Sequence, residues 1–279
     1  MYKMSVPIIQ GGMGVGISMG SLAGAVAAEG GMGVISTANI GFREKDFWSN
    51  PQEANCRALE KEIRRAREIS DGKGLIAVNA MVATKNFAEM VKVAVKSGID
   101  AVISGAGLPL NLPDLVDDKT LIAPIVSGKR AASLLMRTWK SKHGRSPDFL
   151  VVEGSKAGGH LGFKKEELIE GRESKLEDII SDVTSVAMGI SVFGAGGIFD
   201  SEDIKTIKDR GAAGVQIATR FIATQECDAS QGYKDRILSA KSEDVKIITS
   251  PVGMPGRALN SPLIKRVSKQ LRIAPKRCI

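Results

Sequence analysis

Eight short runs rich in β-branched and apolar residues recur along the chain, each followed by a glycine or polar cluster and then by a stretch with helical spacing. A hydrophobic period that switches repeatedly from strand-like to helix-like marks a series of strand–helix units. Strands are expected at 7–10, 33–36, 75–80, 101–104, 121–127, 149–153, 191–195 and 214–218, and helices at 21–29, 52–70, 86–96, 110–116, 129–139, 176–188, 201–209 and 233–240. The strands are nearly unbroken apolar runs rather than alternating ones, which suits a parallel sheet covered by helices. The expected fold class is therefore α/β, a closed (β/α)8 TIM barrel with a short C-terminal extension.

The length agrees, since such a barrel typically takes about 250 residues and the chain has 279. The competing architecture, an open doubly wound sheet, would carry G-x-G-x-x-G after its first strand. After Gln10 the chain instead reads Gly11-Gly12-Met13-Gly14-Val15-Gly16, with the wrong spacing. The phosphate-loop pattern is missing too, because neither Gly72-Lys73 nor Gly128-Lys129 precedes Ser or Thr. The repeat stops near residue 250, so 1–250 is expected to form the barrel and 251–279 an extension or cap, with the completeness of that end left open.

The apolar runs fall well short of the roughly 20 residues of a membrane helix. The first 14 residues pass directly into a strand and a glycine turn, leaving no room for a cleavable leader; a cytoplasmic protein is expected. Cys56, Cys227 and Cys278 form no CxxC, which points away from disulfides and thiolate metal cages. Lys and Arg exceed Asp and Glu by 39 − 31 = 8, partly through Lys265, Arg266, Lys269, Arg272, Lys276 and Arg277 near the end. With only 4% aromatic residues and no recognition motif, that excess suggests a solvated basic face and no nucleic-acid partner.

The unusual residues gather where the strands are expected to end. Gly11-Gly12-Met13-Gly14 follows the first strand, Asn79 closes the third, and Gly105-Ala106-Gly107 follows the fourth. Glu153-Gly154-Ser155-Lys156-Ala157-Gly158-Gly159-His160 follows the sixth, while Gly196-Gly197 and Ala218-Thr219 follow the seventh and eighth. Barrel enzymes work at this rim, and glycine lets backbone N–H groups approach a flat ring or a phosphate. A single such glycine usually does no more than end a strand, but this many clusters on one rim suit one large, planar, phosphorylated ligand. His160 lies inside the longest of these turns, where an imidazole can take a proton from a carbon acid or hydrogen-bond an anion. His143 falls on the opposite rim and is given no role. No metal site is expected, since only His160 and Glu153 could serve as ligands there, and no serine triad is expected either.

These residues resemble the nitronate monooxygenase family, formerly the 2-nitropropane dioxygenases, which also includes FMN-dependent enoyl-acyl-carrier-protein reductases. The similarity rests on PIIQGGMG at 7–14, LAGAVAAEGGMGVI at 22–35, VNAM at 78–81, SGAG at 104–107, EGSKAGGHLG at 153–162, GAGGI at 194–198 and VQIATRF at 215–221. It implies a barrel that binds FMN. The flavin ring would lie near Gly11, Gly12, Met13, Asn79 and Ala106; Gly158 and Gly159 would also bind the cofactor, and Gly196, Gly197, Ala218 and Thr219 would hold the phosphate. Gln10, Glu153 and Gln216 would complete the polar contacts, and His160 would be catalytic.

Two chemistries fall within that resemblance. In one, an alkyl nitronate gives electrons to FMN and oxygen reoxidises the flavin; in the other, NAD(P)H reduces FMN, which then reduces an enoyl thioester. Nitronate oxidation is the leading expectation, with the reductase and a non-catalytic flavin-binding protein as alternatives. The first motif reads QGGM, as in the reductases, rather than QAPM, and Lys156 stands where many members carry Glu. PVGMPGRA at 251–258 likewise resembles the reductases. The substrate would be a small molecule; use of NAD(P)H and assembly as a homodimer stay open.

Overall fold

The computed structural model describes residues 4–250 and 253–269. The last ten residues of the expected extension, with Arg272, Lys276, Arg277 and Cys278, lie outside the described residues. Eight parallel strands close into a barrel: β1 (Ile8–Gln10), β2 (Met32–Ser36), β3 (Leu75–Met81), β4 (Ala101–Gly105), β5 (Leu121–Val126), β6 (Phe149–Glu153), β8 (Ser191–Ala195) and β9 (Gly214–Ile217). β9 pairs back onto β1, with Gln10 opposite Ile217, and this closes the cylinder. Every expected barrel strand is present.

Strand alternation divides the core into two shells. Ile9, Met32, Val34, Ala77, Ile103, Phe149, Val151 and Phe193 fill the barrel interior, where Phe149 and Phe193 meet edge to face at 5.6 Å. Ile35, Ile76, Val78, Val102, Leu150, Val152 and Val215 point outward against the helices. Those helices include α1 (Gly20–Ala28), α2 (Pro51–Ser70), α3 (Phe87–Lys96), α4 (Lys129–His143), α6 (Leu176–Thr184) and α7 (Ser201–Asp209). α1 sits very close to β2, because a β-carbon on Gly33 would fall 1.8 Å from the Ala23 carbonyl oxygen. Its first turn has no side-chain cap of its own. Instead Asp228 accepts from the Met19 and Leu22 N–H groups and Glu62 from that of Gly20, so other parts of the chain satisfy the open donors.

Three differences from the sequence expectations stand out. The helix expected at 110–116 is a single 3-10 turn, Leu112–Leu115, since Pro113, inside the expected span, removes a backbone donor. α4 runs on to His143, whose ring bonds Asp114 at 2.7 Å and the Leu110 carbonyl at 3.1 Å. The loop after β6 carries its own structure: β7 (Gly159–His160) and α5 (Lys165–Glu170). β7 is joined by a hairpin of β10 (Val245–Thr249) and β11 (Pro255–Leu259) into a small antiparallel sheet in the order β10-β11-β7. Among the described residues, no helix is long and apolar enough to cross a membrane.

Candidate active site at the carboxyl rim

The strands are parallel, so the turns that follow them share one rim, and that rim collects all the glycine clusters. The turns also touch one another. The Gly11 N–H donates to the Ile217 carbonyl at 2.8 Å, and a β-carbon on Gly11 would lie 3.2 Å from the Ala218 Cβ. A β-carbon on Gly12 would lie 2.4 Å from the Asn79 Cβ. Across the mouth, the Gly154 N–H donates to the Ala195 carbonyl at 2.9 Å, and a β-carbon on Gly196 would lie 2.8 Å from the Ala157 nitrogen. Gly196 and Gly197 both have positive φ, +98° and +82°, which a side chain would disfavour. Ala106 also has positive φ, +51°, a conformation costing about 1–2 kcal/mol in a residue with a β-carbon.

Strand alternation aims three polar side chains into this mouth. Asn79 follows Leu75 and Ala77, and Glu153 follows Phe149 and Val151, all inward-facing. Gln216 lies between the outward-facing Val215 and Ile217. None of the three side chains has a hydrogen-bond or ion-pair partner among the described residues, and none of their polar atoms is sealed from solvent. Their polar atoms face the open mouth, where solvent or a polar ligand can satisfy them. Burial pushes the Glu153 carboxyl up to about 8; near neutral pH it carries a proton and can donate a hydrogen bond.

His160 sits in β7 on the lip, half-buried. Gly158 and Gly159 beside it face open space, since a β-carbon on either would meet nothing within 4 Å. Ala218 and Thr219 start the short helix α8 (Thr219–Ile222) beside the Gly196-Gly197 turn. Met13 is held by Ser18, whose hydroxyl accepts from the Met13 N–H at 2.7 Å. Gln10 is placed differently from the rest. It is fully buried, and its amide donates to the Gly11 carbonyl and accepts from the Val34 N–H, so it ties the first turn to β2.

The sequence model described as nitronate monooxygenase matches residues 1–278. The chain belongs to the nitronate monooxygenase family. It is accordingly an oxidoreductase of that family. Among its curated relatives, a probable nitronate monooxygenase of Staphylococcus aureus (strain JH9) is 25% identical, covering 96% of this chain and 79% of that protein. The (3aS,4S,5R,7aS)-5-hydroxy-7a-methyl-1-oxo-octahydro-1H-indene-4-carboxyl-CoA dehydrogenase of Mycobacterium tuberculosis is 26% identical over 95% of this chain, which spans 66% of that relative's length. Among solved structures, FabK of Thermotoga maritima superposes with a TM-score of 0.77 at 26% identity, covering 96% of this chain and 76% of FabK. Nitroalkane oxidase of Streptomyces ansochromogenes shares the fold, with a TM-score of 0.74 at 20% identity over 94% of this chain and 79% of its own.

Two features of this family member escaped the sequence reading. Gly16-Ile17-Ser18-Met19-Gly20 has the G-x-S-x-G spacing of a nucleophile elbow, yet Ser18 is 1% exposed and its hydroxyl is engaged with the Met13 backbone, so it is structural. The β10–β11 hairpin also reaches the rim. Its signal is a β-branched run, 245–249, followed by a Pro- and Gly-containing turn.

Proposed function

We propose that the mouth binds FMN and that the protein oxidises alkyl nitronates with oxygen. The observation that carries this reading is the trio of inward, unpartnered polar side chains, Asn79, Glu153 and Gln216, ringed by turns whose backbones approach without intervening β-carbons. A flavin has what that space asks for: a flat ring for the backbone of the Gly11-Gly12 and Ala106 turns, and a polar edge for the amides and the protonated carboxyl. The positive-φ pair Gly196-Gly197, with Ala218 and Thr219, would hold the phosphate through backbone N–H groups. FMN, when bound, accepts electrons from the substrate and passes them to oxygen.

The chain's own residues bind, orient and move the proton. Glu153 and the two amides would hold the cofactor's polar edge. His160, on the lip, hydrogen-bonds the anionic nitronate oxygens, or removes the α-proton when the neutral nitroalkane is presented.

Specific observations favour a second reading as well. QGGM at 10–13 and PVGMPGRA at 251–258 resemble the enoyl reductases, FabK aligns at 26% identity, and one curated relative is named as acting on a carboxyl-CoA. The test is anaerobic mixing of the FMN-loaded protein with propionate 3-nitronate. Bleaching of the flavin supports nitronate oxidation. No bleaching, with rapid bleaching by NADH and reoxidation by crotonyl thioester, transfers the assignment to the reductase. A yellow protein inert to both donors would be a flavin-binding protein without this catalysis.

A further inference from the structure

We infer that Arg257 is a positioning residue for His160, acting through the turn that carries it. The inference rests on the reading that His160 meets substrate. The His160 turn has little holding of its own: two open glycines precede the histidine, and Gly159 has a φ of +81°. What fixes it comes from about a hundred residues further along the chain. β11 lies antiparallel to β7, with Gly256 opposite His160 and Arg257 opposite Gly159. The Leu161 N–H donates to the Pro255 carbonyl at 2.8 Å. The Arg257 side chain then reaches the start of the same turn, where its Nε and Nη2 both donate to the Ser155 carbonyl, at 3.2 and 2.8 Å.

The turn is thus pinned at both ends. Ser155 is held by a charged fork, and His160 and Leu161 by an added strand; a bond from an ionised donor is roughly twice as strong as a neutral one. Gly256 permits the approach, because a β-carbon there would stand 3.0 Å from the Gly159 carbonyl oxygen. Residues around the turn complete the attachment: Ala157, Leu161 and Leu168 pack together with Ile247 of β10, and Lys165 donates to Thr249 at 2.8 Å. Arg257 itself bonds neither the mouth's polar trio nor the Gly196-Gly197 turn, and its effect on chemistry is therefore read with the cofactor site saturated.

The experiment uses the full chain and Arg257→Met, which keeps the apolar stem and removes both donors. Amide hydrogen exchange is followed over 155–161 and, as an internal control, over 149–153 in β6. Exchange should quicken at least tenfold in the first segment and stay unchanged in the second. With FMN saturating, the substrate KM should hold within about twofold while kcat falls tenfold or more, and Arg257→Lys should recover part of both the exchange and the kcat losses. Exchange over 155–161 matching wild type, or quickened exchange with kcat intact, overturns the inference. If Arg257→Met does not fold, Arg257→Gln, which keeps a polar head but loses the charged fork, is measured by the same criteria. Wild-type protein inert to nitronate and thioester alike, with the exchange pattern as expected, would instead overturn the functional reading and leave the strap in place.

Discussion

Gly12 and Asn79 press together at the mouth: a β-carbon on residue 12 would lie 2.4 Å from the Asn79 Cβ and 3.2 Å from Val34 Cγ1. Neither neighbour is the free end of a flexible side chain. Gly12→Ala must therefore displace β3 or the first turn, and overpacking of this kind costs about 1–3 kcal/mol. Because Asn79 aims its unpartnered amide into the mouth, the shift also moves a ligand contact. The expected outcome is a melting temperature lower by several degrees together with FMN binding weakened at least about tenfold, read by calorimetry and flavin fluorescence titration. A variant that melts and binds like wild type would show that the contact relaxes freely.

Glu153 makes stability depend on pH. Its carboxyl is lifted by burial from 4.5 to about 8 in the folded protein, while in the unfolded chain it ionises at its ordinary value. Between those two values the folded state binds more protons than the unfolded state, so stability declines as pH rises through the window and levels off above it. The full span sets an upper bound on the order of 5 kcal/mol. Glu153→Gln removes this slope. In urea titrations of the FMN-free proteins, wild type and variant should agree near pH 4.5, and the variant should be the more stable at pH 8.5. Parallel curves at both pH values would mean that the carboxyl ionises freely in the fold.

His160→Ala should separate chemistry from binding. The imidazole sits on the lip and holds none of the glycine turns, so its loss leaves the cradle intact. FMN should stay bound with an unchanged dissociation constant, while turnover of the nitronate drops by about 10²–10⁴, the usual worth of a positioned acid or base. Stopped-flow measurement of flavin bleaching gives the answer directly. An unchanged rate would remove His160 from the chemistry.

The barrel was legible because its signal is local and repeated. Runs such as Leu75–Met81 and Ser191–Ala195 are apolar on both faces, as strands buried between a core and a helix layer must be. The inward aim of Glu153 follows from counting by twos from Phe149, and the shared rim follows from parallel strands. What stayed hidden depends on contacts between distant residues. The pairing of Gly159–His160 with Pro255–Leu259 joins a two-residue strand to a segment about a hundred positions away, and nothing in either local sequence specifies that partner. The capping of α1 by Asp228 and Glu62 is long-range in the same way. The turn at Leu112–Leu115 misled for the opposite reason, since its apolar spacing imitates a helix that Pro113 keeps short.

Gln10 presents the sharpest choice between a ligand contact and a structural tie. The family resemblance implied the former, but its amide already spans the Gly11 carbonyl, at 2.6 Å, and the Val34 N–H, at 3.0 Å, with no surface exposed. Gln10→Leu would fill a similar volume yet orphan both backbone groups, at a cost of about 1–3 kcal/mol each. A structural tie predicts that the loss appears in the FMN-free protein, as a lower urea midpoint with an unaltered m-value. A direct flavin contact predicts the reverse pattern, with the FMN-free protein as stable as wild type and the whole deficit in FMN affinity. The hydrogen bonds select the first outcome, and any weakening of FMN binding should then follow from loosening of the Gly11 turn.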